Sequence, residues 1–251
     1  DDPIPSDVDV LVILGPKRSF KKSSQFAIDQ FLMSGKSLVA LLDYRQQSTV
    51  YPNILIKNLT GLESLFQSYG VEIVTSQTLI DRTNPSPAPI KRDQNGRVIY
   101  SNHPLYTRMI SPSTDHPAVA NMATLVMPMA SPMRRTEKAD VRLKIDTLFE
   151  GPKESLRATK ISRFEPDKNM AASQDELNGY KSIAAMTISG VLTSAYTPND
   201  QPTRISVMPG STDSQPRVFL SSGRGDSRIL IASSGTSCLL YTSDAADDCR
   251  C

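Results

Sequence analysis

Tryptophan is absent, only two histidines occur, and all three cysteines (Cys238, Cys249, Cys251) fall in the last 14 of 251 residues. A cysteine-free body excludes a disulfide framework and any thiolate zinc site. No charge of one sign dominates, since 28 Lys and Arg stand against 26 Asp and Glu. The formal net charge of +2 leaves no basic field of the kind that holds nucleic acid. No apolar run approaches the roughly 18–20 residues that cross a bilayer as a helix. The opening Asp1-Asp2-Pro3 has neither the basic nor the apolar region of a signal peptide. An initiator Met is also missing, so the chain reads as a piece truncated at both ends, with any membrane tether expected outside it.

What is present fits a globular core: 39% of residues are hydrophobic and 22% charged. The last 14 residues, CLLYTSDAADDCRC, break from this pattern, without periodicity or capping residues. Cys238 to Ser243 is what the DNA string TGTCTCTTATACACATCT encodes, which resembles a transposon end used in sequencing libraries. Residues 238–251 therefore read as translated adapter, and residues 1–237 as one domain with 27 basic and 23 acidic residues.

Residues 1–81 alternate strand and helix signals. Val8 to Leu14 is almost continuously apolar and β-branched, as in a central parallel strand covered on both faces, and stops at Gly15-Pro16. From Lys21 to Ser34, Ala27, Ile28, Phe31 and Leu32 share a helical face, with Gly35 placed as a C-terminal cap. Ser37 to Leu42 reads as a second buried strand ending at Asp43. Thr60-Gly61-Leu62-Glu63 fits a capping box, followed by Leu62, Leu65, Phe66 and Tyr69 at helical spacing and by Gly70. Val71 to Val74 follows as a third strand. This βαβαβ order predicts an α/β fold with a parallel-sheet core, flavodoxin-like or amidotransferase-like.

Past Asp81 the pattern changes, because Pro85, Pro87 and Pro89 interrupt the backbone. Residues 82–227 read as a β-rich elaboration, with strands expected over 97–100, 123–127, 141–149, 182–189, 191–196 and 217–220. Polar loops are expected over 165–180 and 199–215. Arg228 to Ala232 is again short and apolar, so 228–237 is expected to return to the parallel sheet.

Candidate chemistry is sparse. The turn after the first strand carries Pro16, Lys17 and Arg18 rather than the glycines of a phosphate loop, so a nucleotide cofactor is not indicated, although Lys17 lies where an anion would meet a helix. Asp43 and Asp81 lie at the C-terminal ends of strands, where α/β folds place their crevice; Asp at such ends also makes turns and caps. Each histidine precedes a proline (His103-Pro104 and His116-Pro117), as in residues that set a turn, and the spacing of the two fits no helical metal pair. No nucleophile elbow occurs in the body. Arg224-Gly225-Asp226 matches an adhesion tripeptide but precedes a strand, which favours a plain turn. The binding residues to weigh are thus Asp43, Asp81, Lys17 and His116, with no catalytic residue and no metal ligand assigned.

Taken in order, several motifs resemble one family. Ile4 to Lys17, with Ala27-Ile28-Asp29-Gln30-Phe31 through Gly35-Lys36, is similar to the auxiliary component of ABC-type transport systems associated with gliding motility. Leu62 to Val71, Leu79-Ile80-Asp81, Asn102-His103-Pro104, Asp115-His116-Pro117, Met129 to Pro132, and Ile183 to Gly190 with Thr193 to Tyr196 continue the resemblance to about Gly235. The departures are Lys21 and Lys22, where that family starts its helix with acidic residues, and the short Ser233-Ser234-Gly235 end. The resemblance implies an extracytoplasmic accessory domain, tethered to the cell membrane and partnered by an ABC permease subunit or another envelope protein. It brings no catalytic residue and no cofactor.

Two classes of function are therefore expected to compete. One is a non-enzymatic interaction domain. The other uses the strand-end crevice, either as an amidotransferase- or hydrolase-like enzyme or as a small-molecule-binding domain.

Overall fold

The computed structural model describes residues 4–111, 116–120, 122, 124–137, 139–151, 156–159, 162–165, 182–200 and 218–236. Its first strands are β1 (Val10–Leu14), β2 (Ser37–Leu41), β3 (Arg45–Gln47), β4 (Leu55–Lys57), β5 (Val71–Ile73), β6 (Thr78–Asp81), β7 (Pro87–Arg92) and β8 (Val98–Asn102). There follow β9 (Tyr106–Ile110), β10 (Thr124–Pro128), β11 (Met133–Arg135), β12 (Lys144–Glu150), β13 (Leu156–Thr159), β14 (Ile183–Gly190) and β15 (Ser227–Ala232). The helices are α1 (Lys22–Met33) and α2 (Glu63–Ser68).

The local grammar of the first half holds. Residue α1 is framed by no acidic first turn and no side-chain cap, so its stability rests on burying Ile28, Phe31, Leu32 and Met33. Gly35, at φ +83°, closes it by donating its N–H to Leu32 O. The capping box before α2 is real. Thr60 Oγ1 accepts from Leu62 N–H, while the Glu63 carboxylate accepts from the Thr60 and Gly61 N–H groups. Gly70 follows at φ +96°.

The expected flavodoxin-like or amidotransferase-like core is not there. Of the described residues, 12% are helical and 39% are strand, in a mixed, curled sheet. Nine strands form it in the order β1-β2-β15-β14-β12-β9-β10, with β11 joining β14 to β5. Only β1-β2 and β2-β15 run parallel; every other pair in it is antiparallel. Two helices are too few to cover both faces of a parallel sheet, and the strand-rich middle of the chain supplies antiparallel neighbours instead. Thus β5, expected as a third parallel strand, pairs antiparallel with β11 through Ile73↔Met133. β1 is an end strand rather than a central one, and its Val10, Val12 and Leu14 are about half exposed, at 49%, 53% and 54%.

Strands expected around 97–100, 123–127, 141–149, 182–189 and 228–232 are present, the last beside β2 in parallel register. The stretch 191–196 holds only an isolated bridge, Thr193↔Ser222, and 218–220 is not a strand. The prolines do not abolish structure either: Pro87 and Pro89 lie in β7, which pairs only with β8, where a missing N–H is tolerated at an edge. The loops expected over 165–180 and 199–215 lie outside the described residues except at their ends, as does the whole segment 238–251.

The core has three parts. The largest packs Ile28 and Leu32 of α1 and Leu65 and Phe66 of α2 against Leu38, Ile188, Ile229 and Ile231 on one sheet face. A second gathers Leu79, Met109, Met127, Leu148 and Phe149 with Ala185 and Ala232. The third holds Leu55, Ile80, Leu105, Tyr106 and Phe164.

Candidate functional site

Because β1, β2 and β15 are parallel and in register, their C-terminal ends meet at one level, the place where an α/β crevice would open. Here that level is closed. Gly15 donates its N–H to Leu41 O at 2.8 Å, and a Cβ on Gly235 would lie 2.9 Å from both Gly15 Cα and Leu41 O. Two glycines thus let three chain segments touch.

Asp43 lies buried within this junction. Its Oδ1 accepts from Gly235 N–H at 2.7 Å, Thr236 N–H at 3.0 Å and Thr236 Oγ1 at 3.1 Å. Lys17 Nζ approaches Oδ2 at 3.7 Å, so two of the sequence candidates meet. The Asn58 amide fastens the same point by donating to Pro16 O and Asp43 O. The arrangement is that of a carboxylate capping the turn that leaves β15, with its Oδ1 acceptor facing the chain rather than a ligand.

Asp81 belongs to a separate two-stranded ladder of β6 with β13. Its Oδ1 accepts from the N–H groups of Thr83 and Asn84, both at 2.9 Å, forming an Asx turn. His116 Nδ1 accepts from Ala118 N–H at 3.2 Å and so sets its own turn; Asp115 lies outside the described residues. Among the described residues, no hydrogen bond or ion pair joins Asp81 or His116 to the Asp43–Lys17 pair. Arg224 N–H donates to Met33 O, so the Arg-Gly-Asp stretch is a turn against the end of α1. Among the described residues no group of three or more His, Cys, Asp or Glu could hold a metal ion.

Two buried polar centres stand out, Asp29, which sequence reasoning missed, and His103, whose turn-setting role it expected but whose burial it did not. Asp29 is wholly buried in α1 and accepts from four donors: Tyr69 OH (2.7 Å), Ala195 N–H (2.9 Å), Ser194 Oγ (2.7 Å) and Gln30 Nε2 (2.8 Å). Burial first, and the Asp29 charge second, hold the Tyr69 phenol well above its ordinary pKa, so it stays a donor. The only sequence signal was a carboxylate set between Ile28 and Phe31 on an apolar helix face.

His103 is the second. It is fully buried and stacks on Phe164, with ring centroids 4.1 Å apart and planes 13° from parallel. Burial pushes its pKa down to about 4. Its Nδ1 accepts from Leu105 N–H, which leaves the proton on Nε2, and that atom has no partner. Ser86 lies opposite across the strand pair, through His103 N–H to Ser86 O at 3.0 Å, and its buried hydroxyl is likewise unpartnered. A serine hydrolase needs a carboxylate on Nδ1 and a free Nε2 lone pair. His103 has the reverse polarity, so this pair is not a nucleophile and base.

One open surface is apolar. Register aligns Val12 with Val39 and Leu230, and Leu14 with Leu41, on the sheet face opposite α1. These residues are exposed or half-buried. The outer edge of β1 has no strand beside it among the described residues.

A family model described as an ABC-type uncharacterized transport system matches residues 1–237. No curated protein matches the chain. Among solved structures, the mmIFT52 N-terminal domain is similar at a TM-score of 0.45 and 10% identity, over 94% of this chain and 72% of that one.

Proposed function

Because this chain belongs to the family of auxiliary components of ABC-type transport systems, we propose that it works as a non-catalytic, extracytoplasmic interaction domain that docks a transporter subunit, the permease being the partner of choice. The observation that carries the reading is the open edge and face of β1-β2-β15. An uncharged end strand, VLVIL, without proline or bulge, has no strand on its outer edge among the described residues and so presents a row of backbone donors and acceptors there. Beside it, Val12, Leu14 and Val39 form an apolar strip on the face opposite α1, continuous with Leu41 and Leu230, which pack against the second core cluster. Such an edge accepts a strand of a partner polypeptide, and the strip accepts the apolar side chains that come with it.

Against a catalytic role stand the commitments of the candidate groups. The Oδ1 atoms of Asp43 and Asp81 hold backbone N–H groups, and His103 and His116 use Nδ1 to set turns. A cysteine-free body suits an oxidising compartment, which supports the extracytoplasmic placement. Gliding motility is the setting the motif resemblance implies.

Co-expression with permease and ATPase subunits from the same genome, followed by affinity purification, tests the reading. The wild-type chain is expected to co-purify with the permease, and a V12D/L14D variant to lose it while keeping its far-UV circular dichroism. A variant that co-purifies as well as wild type removes the β1 face from the interface, and failure of the wild-type chain removes the reading.

A further inference from the structure

The hairpin between β3 and β4 carries a dense apolar surface. Val50, Tyr51, Ile54, Ile56 and Leu59 are all exposed, five large hydrophobic side chains within ten residues. Val50 and Tyr51, at the tip, are 72% and 61% open. No acidic residue occurs between Asp43 and Glu63. Both of these carboxylates face inward, Asp43 on Gly235 and Thr236, Glu63 on Thr60 and Gly61. The exposed charges at the hairpin's base are basic, Lys57 on the hairpin with Lys17 and Arg18 on the loop that Asn58 ties to it through Pro16 O, and the nearby carboxylate of Glu165, which accepts from Asn53 Nδ2, is paired with Arg163.

The backbone of this tip is tied partly from within and partly to residues 162–165, where Phe164 N–H donates to Asn53 O and Leu55 N–H donates to Ser162 O. Ser48 Oγ accepts from the N–H groups of Val50 and Tyr51, Ser48 N–H donates to Ile54 O, and Ile54 N–H donates to Tyr51 O. The Gln47 amide donates to Pro52 O at 3.1 Å. The base is held by buried Leu55 and by a bridge to the segment around Arg163. Apolar exposure alone would equally suit a protein partner; what favours a bilayer is the order of the surface, apolar at the tip and basic at the base. A tyrosine at the tip and basic residues at the base match the order of an anionic bilayer surface, with headgroups outside and acyl chains within.

We propose that the β3–β4 hairpin is a lipid-inserting finger, which seats Val50 and Tyr51 at the headgroup boundary of an anionic membrane while Lys57, Lys17 and Arg18 meet the phosphates. The contact is peripheral and reversible, and it would orient the domain on the bilayer that holds its transporter. The proposal goes beyond the docking reading and does not use the β1 face.

Co-sedimentation of the full chain with vesicles tests it, using phosphatidylcholine alone and phosphatidylcholine with one quarter phosphatidylglycerol. The wild-type chain is expected to bind the anionic vesicles, more weakly in 0.5 M salt. A V50D/Y51D variant should bind about tenfold or more weakly, while V141D, at an even more open valine outside the hairpin, should bind like wild type. Failure of the wild-type chain to bind anionic vesicles overturns the proposal, as does equal binding by V50D/Y51D. Loss of transporter co-purification in V50D/Y51D, without vesicle binding by wild type, would mean that the finger reads protein, which also overturns it. Because V12D/L14D tests docking separately, failure of one reading is distinguishable from failure of the other.

Discussion

Replacing Asp29 by asparagine tests whether the buried carboxylate is the knot between α1, α2 and the 194–196 turn. The carboxylate accepts on both oxygens, from Tyr69 OH and Ala195 N–H on Oδ1 and from Ser194 Oγ and Gln30 Nε2 on Oδ2. Two of these donors are hydroxyls, which can rotate and accept from an amide instead. The other two cannot. Ala195 N–H is backbone, and Gln30 is locked because its Oε1 accepts from Leu220 N–H while its Nε2 also donates to Leu220 O. Whichever way the asparagine turns, its NH₂ group faces one fixed donor. One buried donor without an acceptor costs about 1–3 kcal/mol, and charge-assisted bonds become neutral ones. D29N should therefore lose about 3 kcal/mol, and D29A more, since all four donors lose their acceptor. For a chain of this size that is a fall in Tm of about 6–12 °C. Urea and thermal unfolding followed by far-UV circular dichroism measure it, with D9N, at the exposed Asp9–Lys36 pair, as the control of near-zero cost. If D29N and D9N differ by less than about 0.5 kcal/mol, the four bonds do not act as a knot and the argument fails.

His103 makes stability depend on pH. The unfolded chain binds a proton near pH 6.5 and the folded one only near 4, so between these values the unfolded state holds more protons. Stability is complete above pH 6.5 and is lost as pH falls towards 4, by about 3 kcal/mol in all. H103N keeps an acceptor for Leu105 N–H without titrating, and urea midpoints at pH 7 and 4.5 should show a smaller difference for it than for wild type. Gly235 cannot take a side chain, because its Cβ would strike backbone atoms at 2.9 Å that no rotamer can move. G235A should cost about 2 kcal/mol or more in the same unfolding assay. If Asp43 is a cap, D43N should stay within a few tenths of a kcal/mol of wild type and D43A should lose about 1–2 kcal/mol. A large loss in D43N would instead show that its charge is needed.

Local signals in the sequence were legible where a single segment carries the information. The capping box at Thr60–Glu63, Gly35 and Gly70 after their helices, and the short strand ending at Ala232 could each be read from neighbouring residues. Pairing could not. VLVIL has the composition of a strand buried on both faces, and nothing within five residues tells a central strand from an end strand. The direction of β5 depends on β11, some 60 residues further on, and periodicity is the same for parallel and antiparallel neighbours. The site residues fared likewise. Asp43 was visible as a strand-end carboxylate, but its partners Gly235 and Thr236 lie 192 and 193 residues away. Asp29 met the same obstacle with Ser194 and Ala195.

The position of the open surfaces bears on function more than the number of polar groups does. In an α/β enzyme the level where parallel strands end is kept open, so that side chains from several loops converge on a substrate. In this chain Gly15 and Gly235 bring the segments at that level into close contact, and the side chains of Asp43 and Asn58 tie them together. Apolar surface is instead left at the outer margin, on β1 and on the hairpin tip, where a substrate would gain no enclosure but a strand or a lipid surface would. The proposed association draws on that margin, where β1 supplies an edge and an apolar strip and the hairpin an apolar tip. The V12D/L14D and V50D/Y51D variants divide it between a protein partner and the bilayer.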